Sequence, residues 1–553
     1  MKSGADRDDG ELHPLATEVA WGRLQSAVDE GAMRLVKTAF SPIIRETKDF
    51  CVMILNREGQ SIVQSTVSIP AFIGTMPHTM QAMLAQRPLA QWSEGDALCT
   101  NDPWLGAGHL PDFNIAIPIF RHGALDGFVG VIAHMADIGG RGFVADAREL
   151  YEEGLRIPVV PLRAGGRPNA LLLDIIRANV RLPAQVTGDL EAMLAAGDYV
   201  VRRTRALLDA MPEVGIEAMS RRIHALCEAA MRAAIRELPD GDYANAGYIE
   251  ADDADLKVAV TVRIRGDEIV VDYTGSSAQV ARGINSTLGY TTSYSAYGLK
   301  CLLAPEVPIN DGALRPITVT APAGCLVNCT HPAAVAARSQ VGHMLPSLIY
   351  GALAPASPAG VVADCGSPRP MVYLSGQDDA KRPFALTLFL HGGMGAGAES
   401  DGIACSAFPT NSAAVPTEIV ELATPVLIEE KELVADSGGD GRRRGGLGQK
   451  MRLRVTGANP VRVSVLAQRA RHPARGLFGG EDGAPTRVRL NGADGAALFK
   501  VMHLARGDVV EVSSPGGGGF GDPAGRPPAL RASDRAAGYL SEVEVRDGAQ
   551  GER

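Results

Sequence analysis

The chain reads as an α+β protein of several domains, with a mixed-sheet N-terminal part carrying long helices and a β-rich C-terminal part. Three observations carry this reading. The 553 residues exceed what one hydrophobic core ordinarily serves. Strand-like apolar runs recur within 50–67 and 96–133, and helix-period apolar positions follow over 174–238. Beyond residue 415 short alternating strands succeed one another. The expected layout is a tail at 1–13, a metal-site mixed-sheet region with a helical block at 14–240, an α/β middle region at 241–414, a β-rich region at 415–525 and a helical tail at 526–553.

Taken in order, residues 17–40 place Val19, Leu24, Val28, Leu35 and Val36 near one side of a helix. Ser41-Pro42 ends it, because the residue before a proline is pushed out of the helical region. Residues 50–55 and 60–67 read as a hairpin turned at Asn56-Arg57-Glu58-Gly59. A helix over 76–86 leads to a strand at 96–100. The next strands, 113–120 and 127–133, form a second hairpin about Gly123. Residues 174–238 are mostly helical. At Pro239-Asp240-Gly241-Asp242 the period changes, and 243–250, 256–265 and 268–274 read as a three-stranded meander. Helices at 289–304 and 334–354 and strands at 371–376 and 383–390 follow. The last region places strands at 418–434, 449–455, 461–467, 486–490 and 508–512, which suggests a sandwich or open barrel.

A formal net charge of -9 argues against nucleic acid or an anionic membrane as partner, since neither is drawn to an acidic surface without a basic patch. The compact basic run Arg442-Arg443-Arg444 is too short for a nucleic-acid footprint. Eight cysteines spread over the chain form no disulfide framework. Cys325, Cys329 and His331 make a cluster without a second half. The polar start MKSGADRDDGELHP is no secretory signal, no run approaches about 18 apolar residues, and a cytoplasmic location is expected.

One stretch stands out chemically. Asn101 to Arg141 carries one pattern twice, His109-Leu110-Pro111-Asp112 and His134-Met135-Ala136-Asp137, at the two ends of the second hairpin. Folding at residues 123 to 124 sets Asp112 opposite Met135 and Phe113 opposite His134, so both quartets meet at the open end. Two imidazoles and two carboxylates suit Mn2+, Fe2+ or Zn2+ without a thiolate. In a straight strand residues i and i+3 point to opposite faces, so each quartet must bend to offer both ligands. Pro111 and Gly139-Gly140 supply the means. The alternative is that the histidines cap strand ends and the aspartates close turns; the repeat across a hairpin favours the metal.

Three glycine-rich loops, 391–397, 438–448 and 515–522, invite a phosphate reading. None is followed by the Lys-Ser or Lys-Thr of a P-loop, and none has the strand-to-helix setting of a dinucleotide site. Glycines that permit tight turns and close backbone approach are the better account. No Gly-x-Ser-x-Gly and no Cys beside a His suggest a nucleophile.

The ordered set of motifs resembles the hydantoinase B family, which includes the B half of 5-oxoprolinases, B subunits of hydantoinases and alpha subunits of acetone carboxylase. It comprises Arg45-Glu46 with Asp49-Phe50, Asn101-Asp102-Pro103, both His-x-x-Asp quartets and Glu153-Gly154-Leu155-Arg156-Ile157-Pro158. Gly283-Ile284-Asn285-Ser286, Asp436-Ser437-Gly438-Gly439, Arg444 to Gly448, Gly476 to Gly480 and Pro515 to Asp522 complete it. The resemblance implies a hydantoinase A-type partner that binds ATP and phosphorylates a carbonyl or enol oxygen. The B-type chain then completes hydrolysis or carboxylation of a small lactam or ketone. Carried over by motif, the ligands of a divalent metal (Mn, Zn or Fe) fall on His109, Asp112, His134 and Asp137. Asp102 and Arg141 flank the mouth, placed to meet substrate or orient the ligands. Two positions depart from the pattern: Met135 stands where many relatives have a second His, and His78 where a carboxylate is common. The expectation is a B-type subunit of an ATP-dependent amidohydrolase for a hydantoin or 5-oxoproline type of cyclic amide, in a hetero-oligomer. The alternatives are the alpha-type subunit of a ketone carboxylase, or a scaffold with a structural metal.

Overall fold

A computed structural model describes residues 13–212, 214–251, 254–494 and 501–541. The expected tail, apart from residue 13, and the end of the expected helical tail lie outside them; the helix Pro528–Ala536 lies within. The architecture is α+β, with helices packed on four sheets among the described residues.

The first sheet runs in the order β2-β1-β5-β4-β3-β6-β7. Its strands are β1 (Phe50–Leu55), β2 (Ser61–Gln64), β3 (Ala97–Thr100), β4 (Asp112–Arg121), β5 (Ala124–His134), β6 (Val160–Ala164) and β7 (Arg167–Pro168). Every pairing in it is antiparallel, which corrects the expected mixed sheet. The two-residue turn between β4 and β5 permits nothing else. Residues of β1 are buried on both faces, as a continuous apolar run requires. The helix Pro183–Ala210 covers one face, where Gly197 fits against Ile117 and Val131. The helix Pro70–Gln86 covers the other, with Met76 against Gly130.

The hairpin itself differs from expectation by one residue. His122 and Gly123 both take positive φ, 51° and 81°, as a type I′ turn demands. A bulge between Ile119 and Phe120 then shifts the pairing, so that Asp112 faces His134 and Phe113 faces Ala133. The slip matters, because residues directly opposite share a face and a one-residue change reverses it.

The second sheet, β11-β10-β9-β8, is built from β8 (Gly241–Glu250), β9 (Asp255–Arg265), β10 (Glu268–Asp272) and β11 (Ile317–Thr320). It adds to the expected meander a strand parallel to β10, reached through the helix Leu288–Leu303. In the third sheet, β12 (Met371–Gln377) and β13 (Pro383–Phe389) join β16 (Val461–Leu466) and β19 (Val501–Leu504), so it draws strands from both sides of residue 415. The fourth contains β14 (Val426–Leu433), β15 (Gln449–Val455), β17 (Arg487–Leu490), β18 (Ala493–Asp494) and β20 (Val509–Ser513). Val372, Val463, Leu453 and Val512 of these last two sheets share one apolar core. The strand expected over 418–434 begins instead as the helix Thr417–Ala423. Its Glu, Leu and Ala residues favour a helix, and Thr424-Pro425 stops it before β14.

The glycine-rich loops pack on one another. The Gly446 N–H donates to the Met394 carbonyl (2.8 Å), Gly517 N–H to the Gly446 carbonyl (3.0 Å) and Gly439 N–H to the Gly517 carbonyl (2.9 Å). A Cβ on Gly393 would stand 1.8 Å from the Gly446 carbonyl oxygen, so this backbone approach has no room for a side chain.

Candidate metal centre

The order of the first sheet brings three acidic or imidazole side chains into a row. Asp112 opens β4 opposite His134, the last residue of β5. On the other side of β5, the His134 N–H donates to the Asp49 carbonyl at 3.1 Å, just before β1 begins. Asp49, His134 and Asp112 therefore occupy adjacent positions on three neighbouring chains. His109 folds over this row from the turn that precedes β4, and its ring centroid lies 5.1 Å from that of His134.

Among the described residues, His109, Asp112 and His134 gather one ligand atom each within 4.8 Å of one another. All three are buried. His109 Nε2, Asp112 Oδ1 and His134 Nδ1 are enclosed without a hydrogen-bond partner, although His109 Nε2 stands only 2.9 Å from Asp112 Oδ1. Buried polar atoms without partners are costly, so three facing inward fit a cation as their common partner. The tautomer agrees: His109 Nδ1 is 2.9 Å from the Ala336 carbonyl, which holds its proton there and leaves Nε2 bare to ligate.

Long-range contacts fix the set. Arg338 donates through Nη2 to Asp112 Oδ2 at 2.5 Å and through Nε to the Ala107 carbonyl at 2.7 Å, and its guanidinium lies over the Tyr290 ring. Glu153 Oε1 accepts from the N–H groups of Val335 and Ala336, both at 2.7 Å, and so secures the segment that orients His109. Burial pushes His134 down to about 3, and burial with the Arg338 charge lowers His109, so both rings are neutral. Burial alone would raise Asp112, but the Arg338 guanidinium bonded to it opposes this, and the carboxyl is held below its usual range. Asp49 is pushed up to about 7 by burial and by the charge of Asp112.

The remaining expected site residues lie elsewhere. The Asp137 carboxylate accepts from the backbone N–H and the guanidinium of Arg181 and from the Gly139 N–H, so it is turned from the cluster. Asp102 caps Trp104 and pairs with Arg156. Arg141 bonds Asp146 at 2.7 Å and Glu152 at 2.8 Å. Neither Asp102 nor Arg141 lines the cavity around the cluster, whereas Asp49, Arg338, Ser339, His343 and Arg369 do. Asp49 had a signal in the sequence, an acidic residue immediately before a wholly apolar strand. Arg338 and Arg369 had none, because their partners are remote in the chain. Cys325 and Cys329 are buried free thiols.

The family model described as Hydantoinase B/oxoprolinase matches residues 13–523, and the chain belongs to that family. The chain is 29% identical to the caprolactamase subunit beta of Pseudomonas jessenii over 96% of its own length and 94% of the relative's. The crystal structure of the ATP-dependent caprolactamase from that organism superposes with a TM-score of 0.88 at 29% identity, covering 96% of this chain and 95% of that one. The 5-oxoprolinase 1 of Arabidopsis thaliana is 26% identical over 90% of this chain, which spans 41% of that longer protein. Acetone carboxylase in its nucleotide-free structure shares the fold, with a TM-score of 0.87 at 22% identity over 96% of this chain and 79% of that one. No helix among the described residues is long and apolar enough to cross a membrane.

Proposed function

We propose that the chain is the B-type subunit of an ATP-dependent amidohydrolase for cyclic amides, working with an A-type subunit that binds ATP. The observation that carries this is the inward-facing set of orphaned ligand atoms on His109, Asp112 and His134. The full-length likeness to a caprolactamase subunit supports hydrolysis of a lactam over carboxylation of a ketone, since the likeness to the carboxylase is one of fold alone.

His109, Asp112 and His134 would hold a divalent Mn, Zn or Fe ion, and Asp49 lines the same cavity. Such an ion, when bound, polarises a carbonyl or phosphoryl oxygen as a Lewis acid. The chain's own residues do the rest. Arg338 holds Asp112 in one rotamer, and the Ala336 carbonyl holds the His109 ring in one tautomer. Phe143 closes over both imidazoles, with centroids 5.9 and 5.7 Å away, and keeps bulk water from the reacting carbonyl. Asp137 and Arg181 shape the loop after His134, while Asp102 and Arg156 brace the turn before His109. These four position the ligands from outside the cavity.

The test is to purify the chain with its A-type partner and follow ATP consumption against a panel of lactams and a panel of ketones with bicarbonate. ATP use dependent on a lactam is expected. Dependence on a ketone with bicarbonate would replace the hydrolase reading with the carboxylase one, and turnover with neither would overturn both.

A further inference from the structure

The cavity has a second polar pole, which the metal cluster does not use. Arg369 reaches it from the segment before β12 and is buried. Its Nη1 donates to the hydroxyls of Thr410 (2.5 Å) and Ser412, its guanidinium lies 3.9 Å from the Phe389 centroid, and its Nε has no hydrogen-bond partner. Among the described residues no carboxylate lies within ion-pair distance of it. Beside it in the cavity wall are Ser339 and His343, one helical turn apart, whose Oγ and Nδ1 are also buried without a partner. His391 Nε2 also lies 3.4 Å from its Nη1, and Asp49 of the same cavity wall acts on its charge without reaching ion-pair distance. A buried guanidinium without a direct counter-ion is unfavourable, and hydroxyls with a neutral imidazole do not neutralise it. Arg338, the other guanidinium of the cavity, is neutralised by Asp112 and illustrates the difference.

From this we infer that Arg369, Ser339 and His343 form an oxyanion subsite, which receives a carboxylate or phosphoryl group of the substrate in the cavity that the metal ligands also line. Planar guanidinium donors suit both kinds of oxyanion. The neutral His343 ring can donate or accept, and the Ser339 hydroxyl supplies a further donor. The subsite deepens the proposed function, on which its meaning for catalysis rests, by naming the group that the substrate or its activated form must carry.

The experiment titrates the full-length chain, depleted of metal by chelation, with orthophosphate and separately with acetate by calorimetry. Depletion removes the metal as a rival anion holder. Saturable one-to-one binding of at least one anion is expected; phosphate alone marks a phosphoryl source, acetate alone a carboxylate, and both the shared chemistry. Arg369→Met should weaken binding by about tenfold or more, with Arg369→Lys intermediate. Ser339→Ala and His343→Leu provide the same reading should the arginine variants not fold. Absence of saturable binding in the wild type, or unchanged affinity in folded variants, overturns the inference. ATP turnover in the complex is measured separately, so loss of one reading leaves the other standing.

Discussion

Arg338 and Asp112 form an ion pair in the interior although 226 residues separate them in the chain. The side chains are 5% and 0% exposed, so neither charge is compensated by water. Removing one partner of such a pair leaves a bare buried charge.

Arg338→Met is therefore expected to destabilise the fold by about 3–5 kcal/mol, far more than a surface pair would cost. Metal affinity should also fall by about 10–100-fold, because Asp112 loses the contact that orients it. Denaturant unfolding and metal analysis by mass spectrometry read the two effects. A variant as stable as wild type with undiminished metal would refute the role.

The second prediction separates the two quartets. His134→Ala should lose its bound metal while remaining folded, whereas Asp137→Asn should retain metal and lose about 1–3 kcal/mol through its weakened bonds to Arg181. Metal content and unfolding midpoints of both purified variants decide it. Equal occupancy in His134→Ala and wild type would sink the ligand assignment, and loss of metal in Asp137→Asn would restore Asp137 as a ligand.

The third concerns pH. Burial pushes Glu153 up to about 8 from its ordinary 4.5. The folded chain thus binds this proton more tightly than the unfolded chain, so the contribution is full below about 4.5 and is lost as pH rises through about 8. Glu153→Gln copies the protonated carboxyl at every pH. Its stability relative to wild type should rise by roughly a few kcal/mol between about pH 5 and pH 9. Urea midpoints at both values test this; a difference independent of pH would show that Glu153 does not hold the proton.

Much of this site was legible in the chain. The apolar runs on either side of His122-Gly123 specify a hairpin, and its open end brings His109, Asp112 and His134 together as the repeat suggested. The turn sits on His122-Gly123, one residue earlier than 123 to 124, which alone would shift the pairing by two; the bulge between Ile119 and Phe120 restores one, and nothing local distinguishes its extra residue from a longer turn. Asp137 repeats the motif as faithfully as Asp112 does. Its carboxylate is instead engaged by Arg181, from the helical block that follows, and spacing within the quartet carries no trace of that competitor.

The sequence by itself determined the α+β class and the hairpin, and it pointed to two imidazoles and two carboxylates at its mouth, of which the fold gathers both imidazoles and one carboxylate, because period, turn chemistry and ligand type are local properties. Only the tertiary structure decided which carboxylates face inward and what surrounds them. Asp49 arrives through the pairing of β1 with β5, Arg338 and His343 through a short helix beyond the second sheet, and Arg369 through the third. Those approaches are set by packing between distant segments, where burial turns ordinary side chains into orphaned charges and bare ligand atoms.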